Sequence, residues 1–280
     1  IIDGKKWYFR RADENLFRID PEAKALKTSL EGKERAGRDE VTKQHIKQVL
    51  SETGNKTTNN LYAKHDWEFD FKLYLTPQSG LKDGELIKVW LPMPQTNQRR
   101  QTDCAITQFN RNVEINTGAH SVAYMEGNYD AHDTTMFNIV YNFTTYAEYN
   151  PLPKCFKHKK ADANNPELKQ YLTERAPHCL FTDKVKALAD SIVGKEKRPY
   201  YQARKLFVAI RELYPWAGAC EYSIIPNIPE YVIDNRHGDC GQVTLLYIAM
   251  CRYKGIPARW QSGFMLHPGW DNLHDWCEIY

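Results

Sequence analysis

The chain has 280 residues, 42% hydrophobic and 26% charged, with 38 Lys and Arg against 35 Asp and Glu for a net charge of +3. This length holds one large domain or two ordinary ones, and the composition, with no apolar run near the ~18 residues a bilayer demands, excludes membrane-spanning and disordered classes. So small and dispersed a positive charge is no nucleic-acid footprint, and no nucleic-acid partner is expected.

Seven cysteines are scattered along the chain without a C-x-x-C pair, so neither a disulfide scaffold nor a zinc ribbon is indicated. The odd number leaves at least one thiol without a partner inside the chain. The sequence begins at Ile1 with no basic, apolar leader and stops at Tyr280 within a strand-like segment, which suggests a processed piece. An extracytoplasmic location, periplasmic or secreted, is the expectation.

Residues 1–61 read as a largely helical extension. Asp20 is a plausible N-cap before Pro21, and one or two exposed helices follow to about Gly54. Gly54 to Asn60 is a polar linker, and its Asn55-Lys56-Thr57 has the form of a glycosylation acceptor.

Residues 62–150 read as an antiparallel β-sandwich. From His65 the period becomes two, with Trp67, Phe69, Phe71, Leu73 and Leu75 on one face and Asp66, Glu68, Asp70 and Lys72 on the other. Further strands are expected over Leu86 to Leu91, Cys104 to Ile115, Ser121 to Met125 and Met136 to Thr145. The acidic row on the first strand is a solvated face, and it is given no function.

From Pro151 the pattern turns helical, opening a core over 151–280. Thr182 caps a helix carrying Val185, Leu188, Ala189 and Ile192 and ending at Gly194; a second, from Pro199, carries Leu206, Phe207, Ile210 and Leu213. Residues 221–239, with Pro226 and Pro229, read as a loop. Cys240 to Lys254 is a helix with Val243, Leu246, Tyr247, Met250 and Cys251 on one face and Gly255 at its end. Cys240 therefore stands at a helix N-terminus, where free amides and the helix dipole are expected to lower its pKa and expose a nucleophile. Cys251, mid-helix on the apolar face, is an ordinary core cysteine. Two strands follow, Ala258 to Leu266 and Leu273 to Tyr280, and His274 lies on the second.

The segments Gly238-Asp239-Cys240-Gly241, Arg252-Tyr253-Lys254-Gly255-Ile256-Pro257-Ala258-Arg259, Ser262-Gly263-Phe264 and His274-Asp275-Trp276-Cys277-Glu278-Ile279-Tyr280 occur in that order. Together they resemble the transglutaminase-like superfamily over about 180–280. The resemblance implies an α+β chain: N-terminal helical extension, β-sandwich, then a papain-like core of helices on an antiparallel sheet, truncated at the C-terminus. It implies a Cys, His, Asp triad in which Cys240 is the nucleophile and His274 the general base and acid. The aspartate is expected beyond Tyr280, because Asp275 should face away from the imidazole and Asp271 precedes the strand. Trp216 is the expected oxyanion donor beside the Cys240 amide, with Tyr222 and Tyr214 as alternatives. Arg259 and Glu278 are expected to form a structural pair.

The expected activity is acyl transfer on amide bonds through a thioester, chiefly hydrolysis as a protease or amidase. A glutamine-crosslinking transglutaminase and a non-catalytic peptide- or glycan-binding module are the alternatives. A peptide or protein substrate, cell-wall peptide included, is expected. No cofactor or metal is expected, since His274 and Cys277 point to opposite faces of one strand and the set Cys240, His267, His274, Cys277 does not converge.

Overall fold

The computed structural model describes residues 4, 11–53, 61–96, 98–118, 120–149, 161, 162, 164–267 and 270–280, with the backbone alone for residues 30–39, 267, 270 and 271. The linker and acceptor sequence at residues 54–60 lie outside the described residues, as do the side chains of His267 and Asp271. The chain forms two compact units, residues 1–41 with 153–280 and residues 42–152.

Two helices come first, α1 (Ala12–Ile19) and α2 (Pro21–Glu52). Asp20 caps α2, its carboxylate accepting the Ala23 amide at 2.8 Å. The shorter α1 was not legible in the sequence.

The unit 42–152 carries six strands: β1 (Leu61–Leu75), β2 (Leu86–Met93), β3 (Gln101–Phe109), β4 (Val113–Asn116), β5 (Ser121–Asn128) and β6 (Thr135–Glu148). They form two antiparallel three-stranded sheets, ordered β1-β6-β3 and β2-β5-β4. The period-two pattern of β1 is borne out: Phe69 lies opposite Tyr141 and stacks on it at 5.7 Å. On its other face Asp66 and Asp70 pair with exposed Lys64 and Lys72. The single strand expected over Cys104 to Ile115 is in fact β3 and β4, in different sheets. Asn110 breaks it, its side chain bonding the Met136 carbonyl at 2.9 Å and the Asn138 amide at 2.8 Å.

The second unit adds α3 (Pro166–Lys169), α4 (Asp183–Val193), α5 (Pro199–Leu213), α6 (Ile228–Asn235) and α7 (Cys240–Tyr253), then strands β7 (Ala258–His267) and β8 (Trp270–Ile279). Thr182 caps α4 through the Val185 amide, and Gly194 (φ 59°) ends it in a conformation that other residues rarely adopt. Helix α5 departs from expectation. It buries Ala203, Leu206 and Ile210, whereas Phe207 and Leu213 are 57% and 42% exposed.

The reading of 221–239 as a loop is corrected. Asn227 accepts the Glu230 amide and Pro229 sits in the first turn, so its fixed φ starts α6. Helix α7 is also more than amphipathic, because Leu246, Ile248, Ala249, Met250 and Cys251 are all buried around it. They join Val185 and Ala189 of α4, Leu206 and Ile210 of α5, and Ile228 and Val232 of α6 in one core. A helix enclosed in this way fixes its first residue rigidly.

Arg252, near the end of α7, is buried, and its guanidinium donates to the Ala258 and Thr173 carbonyls at 2.9 Å each. These bonds hold the helix end against the start of β7. Strands β7 and β8 form an antiparallel two-stranded ribbon in which Ser262 faces Asp275 and Gly263 faces His274.

Candidate active site around Cys240

Asp239 caps α7 in a reciprocal box. Its carboxylate accepts the Gln242 amide at 2.9 Å, and the Gln242 side chain accepts the Asp239 amide at 3.2 Å. Cys240 thereby occupies the first helical position, half-buried, as the sequence indicates. The upstream segment runs beside it. Ala217 donates to the Gly238 carbonyl at 3.0 Å and Gly238 to the Pro215 carbonyl at 3.3 Å, a short parallel bridge between Trp216 and Gly238.

The ribbon brings Asp275 to the sulfur. Cys240 Sγ donates to Asp275 Oδ2 at 3.8 Å, and Ser262 Oγ donates to Asp275 Oδ1 at 2.6 Å. Side chains alternate along a strand, so His274 belongs to the other face. There its ring lies beside Trp276 at 6.4 Å, and Trp276 covers Gly263. Among the described contacts of Cys240 the partner is thus Asp275, the residue set aside in the sequence reading, and not His274. The reason is the one that set it aside: Asp275 does face away from the imidazole, and it is the Asp275 side that meets α7.

Gly241 completes the turn. A β-carbon there would stand 2.8 Å from Asp275 Oδ2 and 3.0 Å from the Trp260 ring, and would also collide with the Tyr222 hydroxyl. Of the three upstream aromatics, Tyr222 is the one whose hydroxyl reaches this turn, donating to Asp239. Burial, and then Asp239, hold its phenol far above its usual range, so it stays protonated. Trp216 is anchored by its main chain, while its ring lies 4.1 Å beneath the Arg18 guanidinium.

The expected depression of the Cys240 pKa is overturned. Burial pushes the thiol up and the Asp239 and Asp275 carboxylates add to this, outweighing the main-chain amides of Asp275 and Gly241. The helix-dipole expectation counted the amides and missed first the burial of the sulfur and then the two anions. Cys251 is buried and its thiol is pushed far up, as suits a core cysteine. The structural pair expected of Arg259 and Glu278 is present, with Arg259 Nε to Glu278 Oε2 at 2.7 Å. Among the described residues no group of three or more His, Cys, Asp or Glu side chains is arranged to hold a metal ion.

A cleft of about 390 Å³ adjoins the site, lined by Arg11, Ala219, Cys220, Glu221, Tyr222 and Asp239. A cysteine at the head of an enclosed helix, flanked by a β-ribbon, places a thiol at the helix N-terminus of an α+β core. Residues 186–280 match the model of the transglutaminase-like superfamily. No curated protein matches the chain.

Among solved structures, the chain is similar to a candidate cysteine protease from Cytophaga hutchinsonii, at 17% identity and a TM-score of 0.61, covering 80% of this chain and 74% of that one. The likeness is one of fold. The periplasmic domain of TgpA from Pseudomonas aeruginosa also aligns, at 13% identity and a TM-score of 0.36, over 76% of this chain and 65% of that one. No described helix is long and apolar enough to cross a membrane.

Proposed function

We propose that this chain carries out cysteine-dependent acyl transfer on the amide bonds of a peptide or protein, with water as the usual acceptor. The observation that carries this reading is Cys240, held at the first position of a buried helix and touched by the strand that bears the H-x-W-x-E sequence.

In the reaction, Sγ attacks the amide carbonyl carbon as the thiol proton passes to His274. The C–N bond then breaks, the amine leaves with that proton, and a thioester remains on Cys240. Water adds with its proton going to His274, the C–S bond breaks, and the acid is released as the thiol is restored. Imidazole suits this shuttle because it titrates near neutrality, whereas an ordinary carboxylate is too weak a base to return a proton to an amine. For His274 to act, the ribbon must turn its other face to Cys240. The oxyanion is assigned to the Cys240 amide, with Trp216 as side-chain donor.

The test is incubation with a peptide library with and without a primary amine. Cleavage outpacing amine incorporation, and loss of both in Cys240→Ala, is the expected result. Incorporation outpacing cleavage would make crosslinking the activity, and failure of a thiol-directed probe to label Cys240 would leave a binding module.

A further inference from the structure

We propose that the main chain of Gly218 is a subsite for the backbone of an extended peptide substrate, and that helix α1 occupies it here as an internal competitor. The proposal rests on the acyl-transfer reading for the identity of the ligand. Its geometry stands independently.

The segment Pro215-Trp216-Ala217-Gly218-Ala219 carries a parallel bridge at Trp216, through which Pro215 and Ala217 bond Gly238, two residues before Cys240. The Gly218 amide and carbonyl have no main-chain partner among the described residues. Both are taken by one side chain: Gly218 N donates to Asn15 Oδ1 at 2.7 Å, and Asn15 Nδ2 donates to the Gly218 carbonyl at 3.0 Å. One carboxamide thus supplies the donor and acceptor that a residue of an added antiparallel strand would supply. Peptide main chain is the ligand class this pair of groups recognises.

Three further contacts place α1 over the site. Arg18 stacks on Trp216 at 4.1 Å and is itself paired with Glu14. Arg11 lies so close to Gly218 that a β-carbon there would stand 2.8 Å from its Cδ, so the glycine is needed for close approach. Arg11 also lines the cleft that reaches Asp239, the residue before the nucleophile. Yet α1 is eight residues long and buries none of them. Such a helix is marginal alone and is held by its polar contacts, which suits a displaceable occupant.

The test uses the full chain with Asn15→Leu, which removes both hydrogen bonds, and separately Asn15→Ala, which removes them with a smaller side chain. Cys240 is labelled with iodoacetamide and with a tetrapeptide chloromethyl ketone. Each variant is expected to raise the rate with the peptidyl reagent by about tenfold, the factor worth one to two ordinary hydrogen bonds, with the iodoacetamide rate nearly unchanged. A synthetic peptide of residues 11–19 should reverse the gain in Asn15→Leu, and the same peptide with leucine in place of Asn15 should not.

Equal change with both reagents, or no gain with the peptidyl one, would overturn the proposal and leave α1 a structural brace. Should no reagent label Cys240 in any variant, the acyl-transfer reading fails. The subsite is then decided by calorimetric titration of an N-acetylated tetrapeptide into Cys240→Ala with and without Asn15→Leu. Binding only when Asn15 is replaced supports it, and binding in neither or equally in both overturns it.

Discussion

The two faces of the β7–β8 ribbon divide one sequence motif between two environments. One face, bearing Ala258, Trp260, Ser262, Asp275 and Cys277, meets α7; Ala258 is fully buried, and burial pushes the Cys277 thiol up to about 12. The other bears Arg259, Gln261, His274, Trp276 and Glu278, with Trp276 38% exposed and the Arg259–Glu278 pair at the surface. Adjacent residues with complementary chemistry, His274 and Asp275, are therefore separated by the pleat, and the sulfur meets the carboxylate side. Spacing in a motif names the residues of a site. Which of them touch is decided by the face that packs.

The largest expected effect lies at the sulfur. Cys240→Ala should lower amide turnover by at least about a thousandfold, as removal of a covalent nucleophile does, while the melting temperature stays nearly constant. Next comes His274→Ala. A lost proton carrier costs about 10² to 10⁴ in kcat, so a drop of that size would show that the open face turns inward during the reaction. An unchanged kcat alongside a loss in Asp275→Asn would break the comparison the other way, assigning proton transfer to the packed face.

The carboxylates beside Cys240 yield a prediction with a definite sign. Negative charge near a thiol disfavours the thiolate and raises the pKa, so removing a charge lowers it. Asp275→Asn is expected to move the pH midpoint of iodoacetamide alkylation downward. Asp239→Ala should move it in the same direction and in addition cost about 1 kcal/mol of stability, because the α7 cap is lost. A midpoint that rises in either variant would show that these anions do not govern the sulfur.

Much of the site's position was legible in the sequence. Asp239, Cys240 and Gly255 frame α7 as capping chemistry requires, and Thr182 and Gly194 do the same for α4, because helix ends are written in single residues. Helix α6 was hidden by Pro226 and Pro229, read as loop residues, although Asn227 followed three residues later by Glu230 marks a helix start. The docking of α1 was illegible for a different reason. Asn15 and Gly218 are 203 residues apart and meet through the Asn15 side chain and the Gly218 main chain, which leaves no pattern in either segment. The direction of the Cys240 pKa was missed because the fold half-buries the sulfur and sets the Asp239 and Asp275 carboxylates beside it.

The smallest expected effect tests whether the open face is open. Glu278 and Arg259 are half exposed, with side-chain accessibilities of 50% and 45%, and Arg259 NH2 stands 2.5 Å from Glu278 Oε2. Exposed pairs contribute about 0.2–1 kcal/mol, since water screens the attraction and ordering two long side chains opposes it. Glu278→Gln should therefore lower stability by less than about 1 kcal/mol in urea titration and leave the Cys240 alkylation midpoint in place. A loss of about 3 kcal/mol or more would be the signature of a pair broken in a buried setting. The face bearing His274 would then be covered in the folded protein, and both halves of the ribbon would count as core.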